Sequence, residues 1–319
     1  MDIFVLILFL FGFFLLIKGA DILIEGSVSL ARYLKVSDIF IGLTIVSVGT
    51  SLPELFVSLV SNVHTNFDIL LGNILGSNIA NILLVLGLAS LARRIVLSHN
   101  MVWKEIPFSV LAAIVLFIVA NDAFFENGVK NVISFSDGLI LILFYIVFLY
   151  YLYAEYKIED GFGLPLSNSK PLQISIFMIA LGVIMLYFGG ELVVNQAVKL
   201  ALFLGISQAF IGLTIVSIGT SIPELVTTIV ALIKKNQALA IGNIVGSCIT
   251  NIFFILGLSA LTGPIFFSYF RNTDLFLVFV ASLVLFISSI IKKEKMILDK
   301  IEGILFLTIY ILYIAFLLL

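Results

Sequence analysis

Charged residues are scarce in this sequence: Asp, Glu, Lys and Arg make up 11% of its 319 residues, whereas 62% are hydrophobic. Soluble domains carry about 25% charged residues, so this chain has too few to cover a water-exposed surface. Its 17 basic and 19 acidic residues leave a formal net charge of −2, which offers no basic field for nucleic acid. These shortages exclude a soluble enzyme, a disordered tail and a nucleic-acid-binding protein, and they place the chain in a lipid bilayer.

Cysteine is almost absent as well. Cys248 is the only one, which excludes an intrachain disulfide and a cysteine-ligated zinc or iron–sulfur site. The sequence shows no cofactor motif and no nucleophile–base pair, so we expect neither an enzyme nor a bound cofactor. The amino terminus lacks the positive flank of a cleaved signal peptide, and we therefore interpret the first apolar stretch as a retained span.

Long hydrophobic runs dominate what is present. The hydrocarbon core of a bilayer is about 30 Å thick and needs roughly 20 mostly apolar residues per helix. Ten segments meet this length: 3–33, 37–63, 69–92, 102–120, 136–153, 172–204, 207–233, 238–261, 274–291 and 300–319. The linkers between them are short, so the sequence predicts an all-α integral membrane protein with ten transmembrane helices and no soluble domain.

The distribution of lysine and arginine over the linkers predicts the orientation, because cytoplasmic linkers carry an excess of both. Thirteen of the 17 lie on one side of the predicted membrane and three on the other, while Lys18 lies within a span. The side with thirteen is expected to be the cytoplasmic face of the plasma membrane. Both termini are then extracytoplasmic, and the polar linker 154–171 is cytoplasmic.

The sequence repeats itself at an offset of 170 residues. Phe40–Leu55 reads FIGLTIVSVGTSLPEL and Phe210–Leu225 reads FIGLTIVSIGTSIPEL, which agree at 14 of 16 positions. At the same offset, GNILGSNIAN at Gly72–Asn81 aligns with GNIVGSCITN at Gly242–Asn251, with seven of ten positions identical. A match of this length indicates that the two halves of the chain share one structure.

Each half contains five predicted helices, which divides the chain into a first repeat at 1–153, the linker 154–171 and a second repeat at 172–319. Because five is odd, the second repeat enters the membrane from the opposite side, and the two halves are inverted repeats. Inverted repeats are typical of secondary transporters, whose binding sites lie near the membrane midplane where the repeats meet. A duplicated structural scaffold without a transport role is the alternative.

Each copy of the longer motif places a proline near the centre of a span. Pro53 and Pro223 lack an amide hydrogen and clash with the preceding turn, so the helix must kink or break at each of them. The carbonyl groups around Ser47–Thr50 and Ser217–Thr220 are then expected to lose their intrahelical partners. Such groups are tolerated in a membrane only where they are buried in protein or line a wet cavity.

A glutamate follows each proline. A carboxylate at the bilayer centre costs about 2.5–3.5 kcal/mol, yet Glu54 and Glu224 occupy equivalent central positions. No Lys or Arg lies at a similar depth in these helices or in the third and eighth. A structural ion pair is therefore disfavoured, and a bound cation is the partner that remains.

The residues around these glutamates are rich in oxygen donors. Ser77 and Asn81 are four residues apart, as are Ser247 and Asn251, so each pair shares a helix face. With the motif hydroxyls, the expected donors are Glu54, Glu224, Thr50, Thr220, Ser51, Ser221, Ser77, Ser247, Asn81 and Asn251. This set suits calcium, which takes six to eight oxygen ligands, and disfavours soft transition metals.

The charges of the two glutamates suggest a mechanism. One Ca²⁺ neutralises their combined charge of −2, and two or more Na⁺ or two protons would do the same. An empty site of charge −2 is expensive to carry across the membrane, whereas a loaded site is not, so ion exchange is expected. Three other asparagines of the motifs, Asn73, Asn78 and Asn243, are interpreted as residues that hydrogen-bond between packed helices.

The paired motifs, GTSLPEL with GNILGSNIAN and GTSIPEL with GNIVGSCITN, resemble the two α-repeats of the sodium/calcium exchanger branch of the cation/calcium antiporter superfamily. The resemblance covers essentially the whole chain and implies the exchanger fold, with Ca²⁺ exported against Na⁺ by alternating access. It implies that Glu54 and Glu224 bind calcium with help from Thr50 and Thr220. It further implies that the long first and sixth helices slide as a gate.

The same resemblance implies flanking sodium sites that use serine hydroxyls and backbone carbonyls. The serines are Ser51, Ser77, Ser221 and Ser247, and the carbonyls are those of Ser47 and Ser217. The transported ions and the lipid bilayer are the implied partners, and no protein or nucleic-acid partner is expected.

One position departs from the family pattern. Members with this architecture often carry Asn in one repeat and Asp in the other at the positions of Asn81 and Asn251, and here both are Asn. The departure leaves coupling to Na⁺ or to H⁺ open, so a calcium/proton antiporter on the same fold is the alternative. A cation channel is a third interpretation, disfavoured because channels usually form pores from symmetric subunits, whereas this repeat is internal and inverted.

Overall fold

The computed structural model describes residues 3–125, 130–156, 170–203, 219–291 and 296–317. Its helices are α1 Ile3–Leu34, α2 Asp38–Thr50, α3 Leu52–Val63, α4 Phe67–Ala92, α5 Met101–Val119, α6 Asp122–Phe125, α7 Phe135–Tyr156, α8 Leu172–Phe203, α9 Ile222–Ile233, α10 Gln237–Thr262, α11 Asn272–Ile291 and α12 Lys300–Leu317. Four two-residue strands lie between them: β1 Ile95–Val96, β2 Val132–Ile133, β3 Ile265–Phe266 and β4 Ile297–Leu298.

Most of these helices are long enough to cross a bilayer. In the described ranges, eight are long and apolar enough by themselves, and α2 with α3 forms a ninth, bent span. The shorter apolar helix α9 covers the second part of the predicted span 207–233, whose first part lies outside the described residues. The prediction of an all-α membrane protein with about ten spans is confirmed.

The two repeats also share local backbone conformations that the pattern of apolar residues does not predict. Thr65 and Lys235 are equivalent at the offset of 170, and both adopt a left-handed backbone with φ of 57° and 64°. This conformation ends α3 and α9 and turns the chain back into α4 and α10. Within α4 and α10, the backbone widens into π-helix over Ala80–Val85 and Thr250–Leu256. Such π segments are frequent at functional sites.

The short strands show that the repeats are inverted. Strands β1 and β3 are equivalent at the same offset, and each pairs antiparallel with a strand of the other repeat, β1 with β4 and β3 with β2. Strand β1 follows α4 and β4 precedes α12, so this ladder lies on the face that carries most of the basic linkers. The ladder of β2 and β3 lies on the opposite face, as a twofold axis in the membrane plane requires.

The long helices α1 and α8 pack along each other through glycines. A Cβ atom on Gly182 would lie 2.8 Å from Gly19 O, and one on Gly189 would lie 3.0 Å from Gly12 O. Small residues of this kind let two membrane helices approach backbone to backbone. Helices α4 and α10 are the most buried of the long spans and occupy the centre, next to the bend between α2 and α3.

Candidate ion-binding site

The bend between α2 and α3 forms the first half of the candidate site. Helix α2 ends at Thr50, α3 begins at Leu52, and the two axes differ by 47°. Pro53 lies in the first turn of α3, where an amide hydrogen would have no carbonyl of α3 to bond. The second repeat turns in the same way, since Ser51 and Ser221 have backbone angles of φ −86°, ψ 8° and φ −88°, ψ 3°. The predicted break is confirmed in the first repeat, where both helices are described.

The carbonyl of Ser47 differs from the expectation. It accepts a hydrogen bond from Ser51 N at 3.1 Å, so it keeps its intrahelical partner. Proline removes the bond to the carbonyl four residues before it, which for Pro53 is that of Gly49 and not that of Ser47. The expectation that Ser47 O loses its partner is therefore wrong. Ser217, its equivalent, lies outside the described residues.

Both glutamate side chains are completely buried, each with 0% of its surface exposed. Ser77 Oγ donates to Glu54 Oε1 at 3.2 Å, and Ser51 Oγ donates to Glu224 Oε1 at 3.0 Å. Over the described ranges, neither carboxylate has a lysine, arginine or histidine within ion-pair distance, and no three acidic, histidine or cysteine side chains converge. A cation here would be held by two carboxylates and by neutral oxygens.

Further hydrogen bonds bring the two repeats together around these carboxylates. Ser77 Oγ lies 3.4 Å from Thr220 Oγ1, and Thr50 Oγ1 donates to Asn243 Oδ1 at 3.0 Å. Ser247 Oγ lies 3.5 Å from Ser47 O, because α10 crosses α2 closely at Gly246. The serines and threonines predicted from the first repeat thus meet the equivalent motifs of the second repeat in one buried cluster.

Several polar atoms in and beside this cluster have no hydrogen-bond partner in the described part of the chain. They are Glu54 Oε2, Glu224 Oε2, Ser221 Oγ and both polar side-chain atoms of Asn81 and Asn251. Asn81 and Asn251 lie one turn beyond Ser77 and Ser247, in the π-helical segments, and are fully buried. Buried polar groups are usually paired, so oxygen atoms left unpaired at this place fit a cation ligand set.

Two asparagines contribute more than the helix packing expected of them. Asn73 Nδ2 donates to Glu54 O at 3.1 Å and to Ser58 Oγ at 3.1 Å, which ties α4 to α3. Asn243 Nδ2 donates to Glu224 O at 3.4 Å and to Thr228 Oγ1 at 3.2 Å. Both therefore position the backbone that carries a glutamate.

The sequence signal for this role is the repeated Gly-Asn pair of the GNI motif. Asn78 does not behave in the same way. Its Nδ2 donates to Ile74 O in its own helix, and the expectation of an interhelical bond is wrong for it. Cys248 Sγ lies 4.0 Å from Asn78 O.

The cluster is accessible from one side. A cavity of about 250 Å³ reaches Thr220 and is lined further by Tyr187, Glu191, Asn195 and Pro223. On the opposite side, a cavity of about 470 Å³ reaches Ile24 but not Thr50. Ala20, Ile24 and Thr50, the equivalents of Gly190, Val194 and Thr220, expose at most 1% of their surface and close this route before the cluster. The structure is therefore open towards the face on which α8 ends and closed towards the face on which α8 begins.

Comparisons with known proteins agree with this site. The family described as sodium/calcium exchanger protein matches residues 4–154 and 174–319. The putative antiporter CaxA of Alkalimonas amylolytica is 33% identical over 95% of both chains, and the sodium/calcium exchanger MaX1 of Methanosarcina acetivorans is 28% identical over 97% of both.

A solved structure of the sodium-calcium exchanger NCX_Mj superposes with a TM-score of 0.81 at 32% identity, covering 99% of this chain and 100% of that one. The family consists of ion exchangers and not of enzymes. The match extends over both repeats and therefore over both halves of the candidate site. The chain belongs to the sodium/calcium exchanger family of cation/calcium antiporters.

Proposed function

We propose that this protein exports Ca²⁺ from the cytoplasm across the plasma membrane in exchange for Na⁺. The observation that carries the proposal is the pair Glu54 and Glu224, completely buried, contributed by opposite repeats and without a basic partner in the described ranges. Hydrogen bonds through Ser51, Ser77 and Thr220 tie both into one cluster. Two buried carboxylates need compensating positive charge, and a transported cation supplies it.

The proposed ligand set is the one predicted from the sequence, of which only Ser217 lies outside the described residues. Glu54 and Glu224 bind Ca²⁺ with Thr50 and Thr220. The remaining hydroxyls, amides and carbonyls form the flanking sodium sites: Ser51, Ser77, Ser221, Ser247, Asn81, Asn251, Ser47 and Ser217. All of these are hard oxygen donors, which suit Ca²⁺ and Na⁺ alike. Because a carboxylate pair without a cation is unfavourable in lipid, the protein changes sides only when loaded with one ion or the other.

The proposed orientation places both termini outside the cell, since thirteen of the 17 basic residues then lie on the cytoplasmic side. The cavity at Thr220 then opens to the exterior, and the structure is an outward-open state. Access alternates as α1 and α8 slide together against the other helices of the two repeats, 1–153 and 172–319. The name of MaX1 and the soaking of NCX_Mj with Na⁺ and with Ca²⁺ or Sr²⁺ support sodium as the coupling ion.

A calcium/proton antiporter is the second candidate. The observation that favours it is asparagine at both position 81 and position 251, which leaves Glu54 and Glu224 as the only carboxylates found in the described cluster. Two protons neutralise these carboxylates as well as one Ca²⁺ does.

Uptake of ⁴⁵Ca²⁺ into proteoliposomes separates the two candidates. We expect uptake when Na⁺ is loaded inside and diluted outside, at equal pH on both sides. Replacement of internal Na⁺ by choline should abolish it, and an imposed pH gradient at equal Na⁺ should not restore it. Uptake that follows the pH gradient and ignores Na⁺ would replace the sodium proposal with the proton one.

A further inference from the structure

The cavity that leads to Thr220 carries one carboxylate, and it is not part of the ion-binding cluster. Glu191 lies on α8 and lines the cavity together with Tyr187 and Asn195, with its side chain exposed. The structure shows no ion pair of Glu191 in the described residues. Lys199, two turns further along α8, donates to Gln196 Oε1 at 3.3 Å. The negative charge of Glu191 therefore faces the open cavity.

The equivalent position in the first repeat is also acidic, but it is neutralised. Asp21 lies on α1 at the offset of 170, and its Oδ1 lies 2.6 Å from Lys234 Nζ at the end of α9. Lys234 also donates to Asp21 O at 3.3 Å. One turn along α1, Glu25 lies 2.6 Å from Lys170 Nζ in a second ion pair. On the closed face, then, each of these carboxylates forms an ion pair with a lysine from outside α1.

The two faces thus differ in the partner of the equivalent acidic residue. On the open face an acidic side chain of the long helix is free to meet an arriving cation, and on the closed face its counterpart binds a lysine. A single carboxylate at the mouth of a narrow, low-dielectric passage raises the local cation concentration and the association rate. Glu191 is too exposed to bind a cation tightly, which suits a group that must pass the ion inward.

Building on the proposed exchange activity, we propose that Glu191 is an outer capture ligand. Its carboxylate binds a cation arriving at the open face and passes it along the cavity to Thr220 and the buried glutamates. Asp21 captures cations at the other face once that face opens and the ion pair between Asp21 and Lys234 breaks. Glu191 and Asp21 are each positioned to set the apparent affinity for cations arriving at their own face, and not the maximal rate of exchange.

Side-specific kinetics test this inference. In right-side-out membrane vesicles loaded with Na⁺, we expect Glu191→Gln to raise the KM for external Ca²⁺ by about fivefold with the maximal rate unchanged. Glu191→Asp, which keeps the charge, should behave as wild type. In everted vesicles, Glu191→Gln should leave the KM unchanged and Asp21→Asn should raise it.

The matched control is Asp68→Asn. The side chain of Asp68 is 79% exposed near the open face, and its carboxylate contacts Arg271 outside the cavity. If Glu191→Gln shifts the KM no more than Asp68→Asn does, while the wild type exchanges normally, the inference about Glu191 is overturned and the proposed function stands. Loss of exchange in the wild type itself would instead refute the proposed function.

The wild-type protein supplies a second measurement that needs no variant. Raising the ionic strength with choline chloride screens an exposed carboxylate much more than a buried one. We expect the KM for Ca²⁺ at the open face to rise with ionic strength, and the difference between wild type and Glu191→Gln to shrink. A wild-type KM independent of ionic strength would contradict capture by Glu191.

Discussion

The two glutamates occupy equivalent positions in the repeats, yet both of the serine donors that hold them come from the first repeat. Ser77 donates to Glu54 and Ser51 donates to Glu224. Ser221, the equivalent of Ser51, has no hydrogen-bond partner in the described residues, and Ser247 approaches Ser47 O instead of a glutamate. This asymmetry accompanies the one-sided opening at Thr220. We expect the donors to exchange between repeats when the opposite face opens.

At the same scale, Asn243 positions two residues of the site by hydrogen bonds. Its amide holds Glu224 O, and its Oδ1 accepts from Thr50 Oγ1. We expect Asn243→Ala to raise the KM for Ca²⁺ by about tenfold, the effect of losing roughly one buried hydrogen bond. The control is Asn78→Ala, whose amide bonds only within its own helix. Equal effects of both variants in ⁴⁵Ca²⁺ uptake would show that Asn243 does not position the site.

Among the elements, the broken helix and the long spans could be predicted from the sequence, because proline and apolar length act locally. Pro53 and the offset of 170 were sufficient to place Ser51 and Glu54 at a break. The π-helical segments could not be predicted, since the residues of Ala80–Val85, all apolar except Asn81, fit a regular α-helix equally well. The pairing of Glu224 with Ser51 also could not, because it depends on how the two repeats cross.

The contact between α1 and α8 gives a prediction about an element. A Cβ on Gly182 would lie 2.7 Å from Leu23 N and 2.8 Å from Gly19 O, both backbone atoms that cannot rotate away. We expect Gly182→Ala to destabilise the protein by about 1–3 kcal/mol, the usual effect of overpacking. Thermal unfolding in detergent measures this effect.

The matched control for that substitution lies on the same helix. A Cβ on Gly190 meets nothing nearer than Pro223 Cγ at 3.6 Å, which is an ordinary contact. Gly190→Ala should therefore unfold at the wild-type temperature. If Gly182→Ala does the same, α1 and α8 are not packed as closely as the structure shows.

At the scale of the whole molecule, the scarcity of charged residues and the inverted repeat are related. A chain with 11% charged residues can keep two carboxylates in the membrane only if something neutralises them, and the inverted repeats bring both to one place. The ladders of β1 with β4 and of β2 with β3 join the two repeats on opposite faces. One molecule therefore carries two equivalent half-sites and two routes to them, of which one is open.

The most direct test of this account is equilibrium binding of ⁴⁵Ca²⁺ to the purified protein in detergent, titrated with Na⁺. We predict that the wild type binds Ca²⁺ at a buried site, that Na⁺ displaces it, and that Glu54→Gln and Glu224→Gln each abolish the binding. Asp68→Asn, which alters an exposed carboxylate outside the cluster, should bind as the wild type does. Calcium binding that persists in either glutamine variant, or that Na⁺ fails to displace, would contradict the central claim.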